Sequence, residues 1–161
     1  MMRILVYGAG VLGCTLARDF FKVGKDVTLL ARGKWAETIK TNGLCIKNYV
    51  LPMKSTVRVP VVTELASEDE YDVIFVAARY TQVATILDAL RANKSKNVVF
   101  LGNNVQPEKL VTALPEKNVM FAFASSAGHR EQDRIVSVDL KKITIGQLRG
   151  VQSNEQLIQK I

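Results

Sequence analysis

The chain opens on a short run of β-formers, Arg3, Ile4, Leu5, Val6 and Tyr7, that stops at Gly8, the pattern of a buried strand. Apolar residues then recur at Val11, Leu12, Leu16, Phe20 and Val23, a helical period, and Gly24 closes that helix. Residues 26–30 read as a second strand and residues 34–41 as a second helix, ended by Asn42 and Gly43. Between residues 44 and 62 no period is sustained. Short strands are expected at 44–46 and 57–62, with Pro60 putting the second at a sheet edge. A strong strand follows at 73–77. A helix over 81–90 then carries Val83, Ile86, Leu87 and Leu90 on one face. Residues 98–101 predict a strand, and Pro107 opens a helix running to Leu114 as a first-turn proline. Residues 120–124 predict another strand, and 135–138 with 143–145 a late hairpin. Ser153 to Gln156 match a capping box, opening a short helix that bears Leu157, Ile158 and Ile161. Strands alternating with helices predict an α/β fold: a parallel sheet with helices on both faces, and late antiparallel strands at one edge.

Composition narrows the class. A length of 161 residues fits one domain, and 48% hydrophobic with 23% charged residues excludes a disordered chain. No apolar run approaches the roughly 20 residues of a membrane helix, and the opening segment is too short for a signal peptide. The expectation is a cytoplasmic protein with no membrane partner. Cys14 and Cys45 have neither metal nor redox spacing. The net charge of +7 raises a nucleic-acid partner, but the basic residues are scattered. Lys94 with Lys96, and Lys141 with Lys142, are too few for a phosphate-tracking stripe, so no nucleic acid is expected. The charge reads instead as a solvated surface with a site for an anionic ligand.

Candidate chemistry concentrates at Gly8, Ala9, Gly10, Val11, Leu12 and Gly13, which fit G-x-G-x-x-G between a predicted strand and a predicted helix. Gly8 permits the tight turn, Gly10 lets a pyrophosphate approach the backbone, and Gly13 lets helix and strand pack closely. The helix N-terminus adds free N–H groups and its positive dipole end. This is the pattern of a Rossmann-like dinucleotide site. Enzymes using NAD usually end the second strand on an acid that binds the ribose hydroxyls. Here the sequence reads Leu30, Ala31, Arg32, Gly33, Lys34, with no acid. Arg32 can fork onto a 2′-phosphate, which selects NADP(H), or it is a solvated loop cation. Arg79 and Asn103 follow two further strands on the side where ligands bind. They suit the ribose and nicotinamide or an anionic substrate, against a helix-start charge and a turn-former. His129, the single histidine, reads as an exposed loop residue before it reads as a general acid. Cys14 reads as a small buried spacer, and Trp35, Phe20 and Phe21 as core or interface residues.

Taken in order, these residues resemble the N-terminal domain of ketopantoate reductase (2-dehydropantoate 2-reductase). The similar stretches are residues 2–13, Leu30 to Arg32, residues 72–82, residues 103–110, and Ala127 to Arg130 with the run to Gly146. The resemblance implies that Arg32 meets the 2′-phosphate, that Gly128 lies on a cofactor-lining strand, and that the full-length reaction is NADPH-dependent reduction of 2-dehydropantoate, a 2-keto acid, in pantothenate biosynthesis. Two departures stand out. The family has Lys where this chain has Arg79, and Gly where it has Asn104. The family's catalytic lysine and a substrate-binding acid belong to a C-terminal helical domain. The expectation is therefore one dinucleotide-binding domain over 1–161, with that domain absent and no catalytic residue in this chain. The other reading is a stand-alone, non-catalytic NADP(H)-binding or sensing module. The short final helix, needing burial for its apolar residues, is expected to promote a homodimer.

Overall fold

The computed structural model describes residues 1–148 and 155–160. The strands are β1 (Arg3–Tyr7), β2 (Asp26–Leu30), β3 (Leu44–Asn48), β4 (Lys54–Val57), β5 (Val61–Val62), β6 (Val73–Val76), β7 (Asn97–Leu101), β8 (Asn118–Arg130) and β9 (Ile135–Gly146). The helices are α1 (Val11–Lys22), α2 (Gly33–Asn42), α3 (Tyr80–Val83), α4 (Leu87–Ala92), α5 (Pro107–Ala113) and α6 (Glu155–Lys160). Among the described residues the strands form one sheet in the order β4-β3-β9-β8-β7-β6-β1-β2-β5.

The central strands are buried on both faces because their side chains alternate between two cores. Ile4 and Val6, Val73 and Phe75, and Val99 and Leu101 point to the face covered by α1 and α2. Leu5 and Tyr7, Ile74 and Val76, and Val98 and Phe100 point to the face covered by α3, α4 and α5. The fold is the expected mixed α/β class, mostly parallel. Its antiparallel pairings, β8 with β9 and β3 with β4, gather at one end of the sheet. The edge strand at that end is β4, since β3 and β4 lie outside β9.

Three local expectations are corrected. Residues 57–62 are not one strand. Pro60 has no N–H for a ladder, and the chain crosses there, its carbonyl accepting from the Leu29 amide at 2.9 Å. β4 and β5 therefore end up at opposite edges of the sheet. The helix expected over 81–90 is broken into α3, a 3-10 turn at Ala84–Ile86, and α4. Thr81, Val83, Thr85 and Ile86 are β-branched, and the Thr85 hydroxyl donates back to the Gln82 carbonyl at 2.7 Å, which suits a tighter turn. The late segments 135–138 and 143–145 do not pair with each other. They are the two ends of β9, whose antiparallel partner is β8, with a register shift between Ala124 and Ser126. The stretch Asp139, Leu140, Lys141 and Lys142, with its three charges, looks like a turn in the sequence but continues the strand.

The capping box at Ser153 to Gln156 falls largely outside the described residues, as does Ile161. Leu157 of α6 is buried in the α1-side core. The apolar surface expected to drive pairing is, at Leu157, covered by the chain itself. Among the described residues no helix is long and apolar enough to cross a membrane.

β1, β2, β6, β7 and β8 run parallel, so the turns that follow them open on the same side. β8 pairs with β7 from Asn118 as far as Ala122. Its remaining residues, 123–130, overhang the sheet on that side with β9 as partner.

Candidate functional site

Each glycine of the turn after β1 has its own steric reason. Gly8 adopts φ 113°, and a Cβ there would sit 2.6 Å from the Ala77 carbonyl oxygen. Its amide donates to the Leu30 carbonyl at 3.1 Å, so the turn is tied to the end of β2. Gly13 is buried under the turn, and a Cβ there would overlap the Gly8 carbonyl oxygen. Gly10, the N-cap of α1, is exposed and has open space where a Cβ would project. No side chain caps α1 and its first turn has no acid, so its leading N–H groups face that space.

The turn is one wall of a cleft of about 660 Å³. The other walls are the end of β2 with Trp35, the end of β6 with α3, and the overhanging tip of β8. Of the residues singled out from the sequence, Gly8, Ala9, Gly10, Val11, Arg32, Arg79, Gly128 and His129 line it. Leu12 and Gly13 do not; they support the turn from α1. Asn103 does not either. It is exposed on the loop after β7, where the neighbouring Asn104 side chain donates to the Gly102 carbonyl at 3.1 Å.

Arg32 is exposed at the N-terminus of α2 and held from β1. Its Nη2 donates to the Tyr7 hydroxyl at 2.6 Å, and its guanidinium carbon lies 5.7 Å from the Tyr7 ring centroid. Arg79 precedes α3, its amide 3.4 Å from the Gln82 Oε1 that accepts from it. His129 lies 3.6 Å from a Glu131 carboxylate oxygen. Among the described residues the cleft lining holds three guanidinium groups and no carboxylate or lysine. The charged groups of the lining are thus cationic.

Lining residues that escaped the sequence reading include Tyr7, Trp35 and Arg130. Tyr7 ends an aliphatic strand, and its hydroxyl was the available signal. Trp35, read as core or interface, is buried but also donates from Nε1 to the Ala9 carbonyl at 2.9 Å, fixing the glycine turn. Arg130 reaches the cleft from β8, its guanidinium carbon 5.5 Å from the Trp35 ring centroid. No local pattern marks it, because only the long β8–β9 pairing brings it there. Cys14 is the buried spacer expected. Burial pushes its thiol up to about 12, against the opposing effects of a hydrogen bond with Trp35 and the charge of Arg130.

Comparison with known proteins fits this geometry. The family model described as ketopantoate reductase PanE/ApbA matches residues 4–150. A 2-dehydropantoate 2-reductase of Pyrococcus horikoshii is 37% identical over 62 residues, covering 37% of this chain and 21% of that protein. The fold superposes on a 2-dehydropantoate 2-reductase of Geobacter metallireducens GS-15 with TM-score 0.81 at 20% identity, covering 97% of this chain and 53% of that one. It superposes on D-mandelate dehydrogenase, solved with NADH and anilino(oxo)acetate, with TM-score 0.77 at 19% identity, covering 99% of this chain and 52% of that one. The chain thus spans about half the length of these solved relatives. With the family model matched along most of the sequence, on the fold of its solved relatives, the chain belongs to the ketopantoate reductase PanE/ApbA family of oxidoreductases.

Proposed function

We propose that these residues are the NADP(H)-binding half of an oxidoreductase that reduces a 2-keto acid such as 2-dehydropantoate. The observation that carries the reading is Arg32 at the end of β2, fixed by Tyr7, in a cleft with no carboxylate among its described lining residues. An NAD-type ribose site wants an acid at that position; a 2′-phosphate wants a guanidinium. The fold alone does not decide between them, since D-mandelate dehydrogenase was solved with NADH.

The cleft fits the group. Gly10 leaves open the space that a Cβ would fill, beside the uncapped N–H groups of α1, as a pyrophosphate requires. Arg32 forks onto the 2′-phosphate. Gly128 keeps the backbone of β8 close to β9, because a Cβ there would overlap the Val136 carbonyl. Arg79, where the family carries Lys, offers a planar fork to an anionic substrate or to the cofactor's ribose. Asn103, exposed on the loop after β7, is offered to the ribose and nicotinamide or to an anionic substrate. NADPH, when bound, supplies the hydride that reduces the keto group. The chain's own task is to bind and orient it.

Titration of the purified chain with NADPH and NADH tests the reading. NADPH is expected to bind at least about tenfold more tightly, the equivalent of one charge-assisted contact. Equal affinities would overturn it.

A further inference from the structure

Arg130 is a cation that neither the glycine turn nor the end of β2 accounts for. It is the last residue of β8, and its backbone is fixed from behind. Opposite it stands Ile135, fully buried, which is itself paired with Ile46 of β3. Two residues earlier, Gly128 leaves no room for a Cβ against Val136 and Ser137, so the two strands close tightly. The Arg130 guanidinium lies over the Trp35 ring, and that indole is tied to the Ala9 carbonyl. A continuous set of contacts therefore runs from the hairpin through Trp35 to the glycine turn. The positive charge is felt at the Cys14 thiol, in the opening turns of α1. The neighbouring carboxylate does not neutralise it, since Glu131 faces His129 and Arg134.

From this geometry we infer that Arg130 is a second arm of the cofactor site, which meets the diphosphate of the dinucleotide from the β8 hairpin, with Trp35 as the post that holds it. The inference rests on the dinucleotide reading above and deepens it by assigning the diphosphate a side chain. Arg32 and Arg130 then divide the work. Arg32 sits at the end of β2 with Tyr7 and answers a phosphate that only NADPH carries. Arg130 is coupled through Trp35 to the glycine turn and answers a group common to NADPH and NADH. A guanidinium already held by an aromatic face and a paired backbone has less conformational freedom to lose on binding.

The test is a titration of the parent chain, Arg130→Ala, Arg130→Lys and Arg32→Ala with both NADPH and NADH by calorimetry, with thermal melts as a control on folding. Arg130→Ala is expected to raise Kd about tenfold for both dinucleotides alike, as loss of a charge-assisted contact would. Arg130→Lys, which keeps the charge without the fork, falls between, and it carries the test if the alanine variant melts early. Arg32→Ala weakens NADPH only. Unchanged binding by Arg130→Ala overturns the inference, and so does a loss confined to NADPH, which would move Arg130 to the 2′-phosphate. If the parent chain binds neither dinucleotide, the underlying reading fails. If it binds and the Arg130 variants match it, only the inference fails.

Discussion

On the proposed function, cofactor choice in this chain comes down to one hydroxyl and one guanidinium. The Tyr7 hydroxyl fixes Arg32 without neutralising it. Tyr7→Phe is expected to cost NADPH affinity on the order of 1 kcal/mol, as loss of a single hydrogen bond would, and to leave NADH unchanged by titration. The glycines separate in the same way. Gly13→Ala forces a Cβ into the Gly8 carbonyl and should destabilise the fold by roughly 1–3 kcal/mol in denaturant unfolding. Gly10→Ala has space in the free protein, so it should spare the fold and weaken dinucleotide binding. Cys14 gives a pH prediction. Its folded-state pKa is raised from 9.0 to about 12, so the protonated thiol favours the fold. That contribution is complete below pH 9 and is lost as pH rises toward 12. At neutral pH the buried thiol should resist alkylation until the chain is unfolded, and fast labelling of the native protein would contradict this. The glycine turn and Arg32 were legible in the sequence because their geometry is local. Tyr7 and Arg130 were not, because their partners lie 25 and 95 residues away in sequence.

At the level of elements, strands buried on both faces announced themselves as apolar runs, and β1, β6 and β7 were read nearly to their ends. β9 was misread because a polar interruption resembles a turn when the partner strand is unknown. Pro60 was read as placing one strand at a sheet edge, whereas it separates two strands that lie at opposite edges. The short helix α6 depends on packing, since six residues do not hold a helix alone. Leu157 supplies a buried anchor for it. Leu157→Ala should cost about 2–3 kcal/mol in chemical unfolding, and a neutral result would show that α6 contributes nothing to the core.

As a whole, the molecule directs its parallel strand ends and the β8 overhang into one cationic cleft. The class of fold followed from the strand–helix alternation. The cleft did not, because a wall built from β1, β2, β6 and β8 exists only once the sheet order is known. Because the chain spans about half the length of its solved relatives, we expect these 161 residues to bind NADPH without oxidising it when 2-dehydropantoate is added. Substrate-dependent loss of NADPH absorbance would contradict that. The central claim is that Arg32 makes this an NADP(H) site, and calorimetric titration of Arg32→Ala beside the parent chain tests it most directly. The account predicts a loss of about 1.5–3 kcal/mol for NADPH with NADH unchanged. An equal loss for both dinucleotides, or none for either, would contradict it.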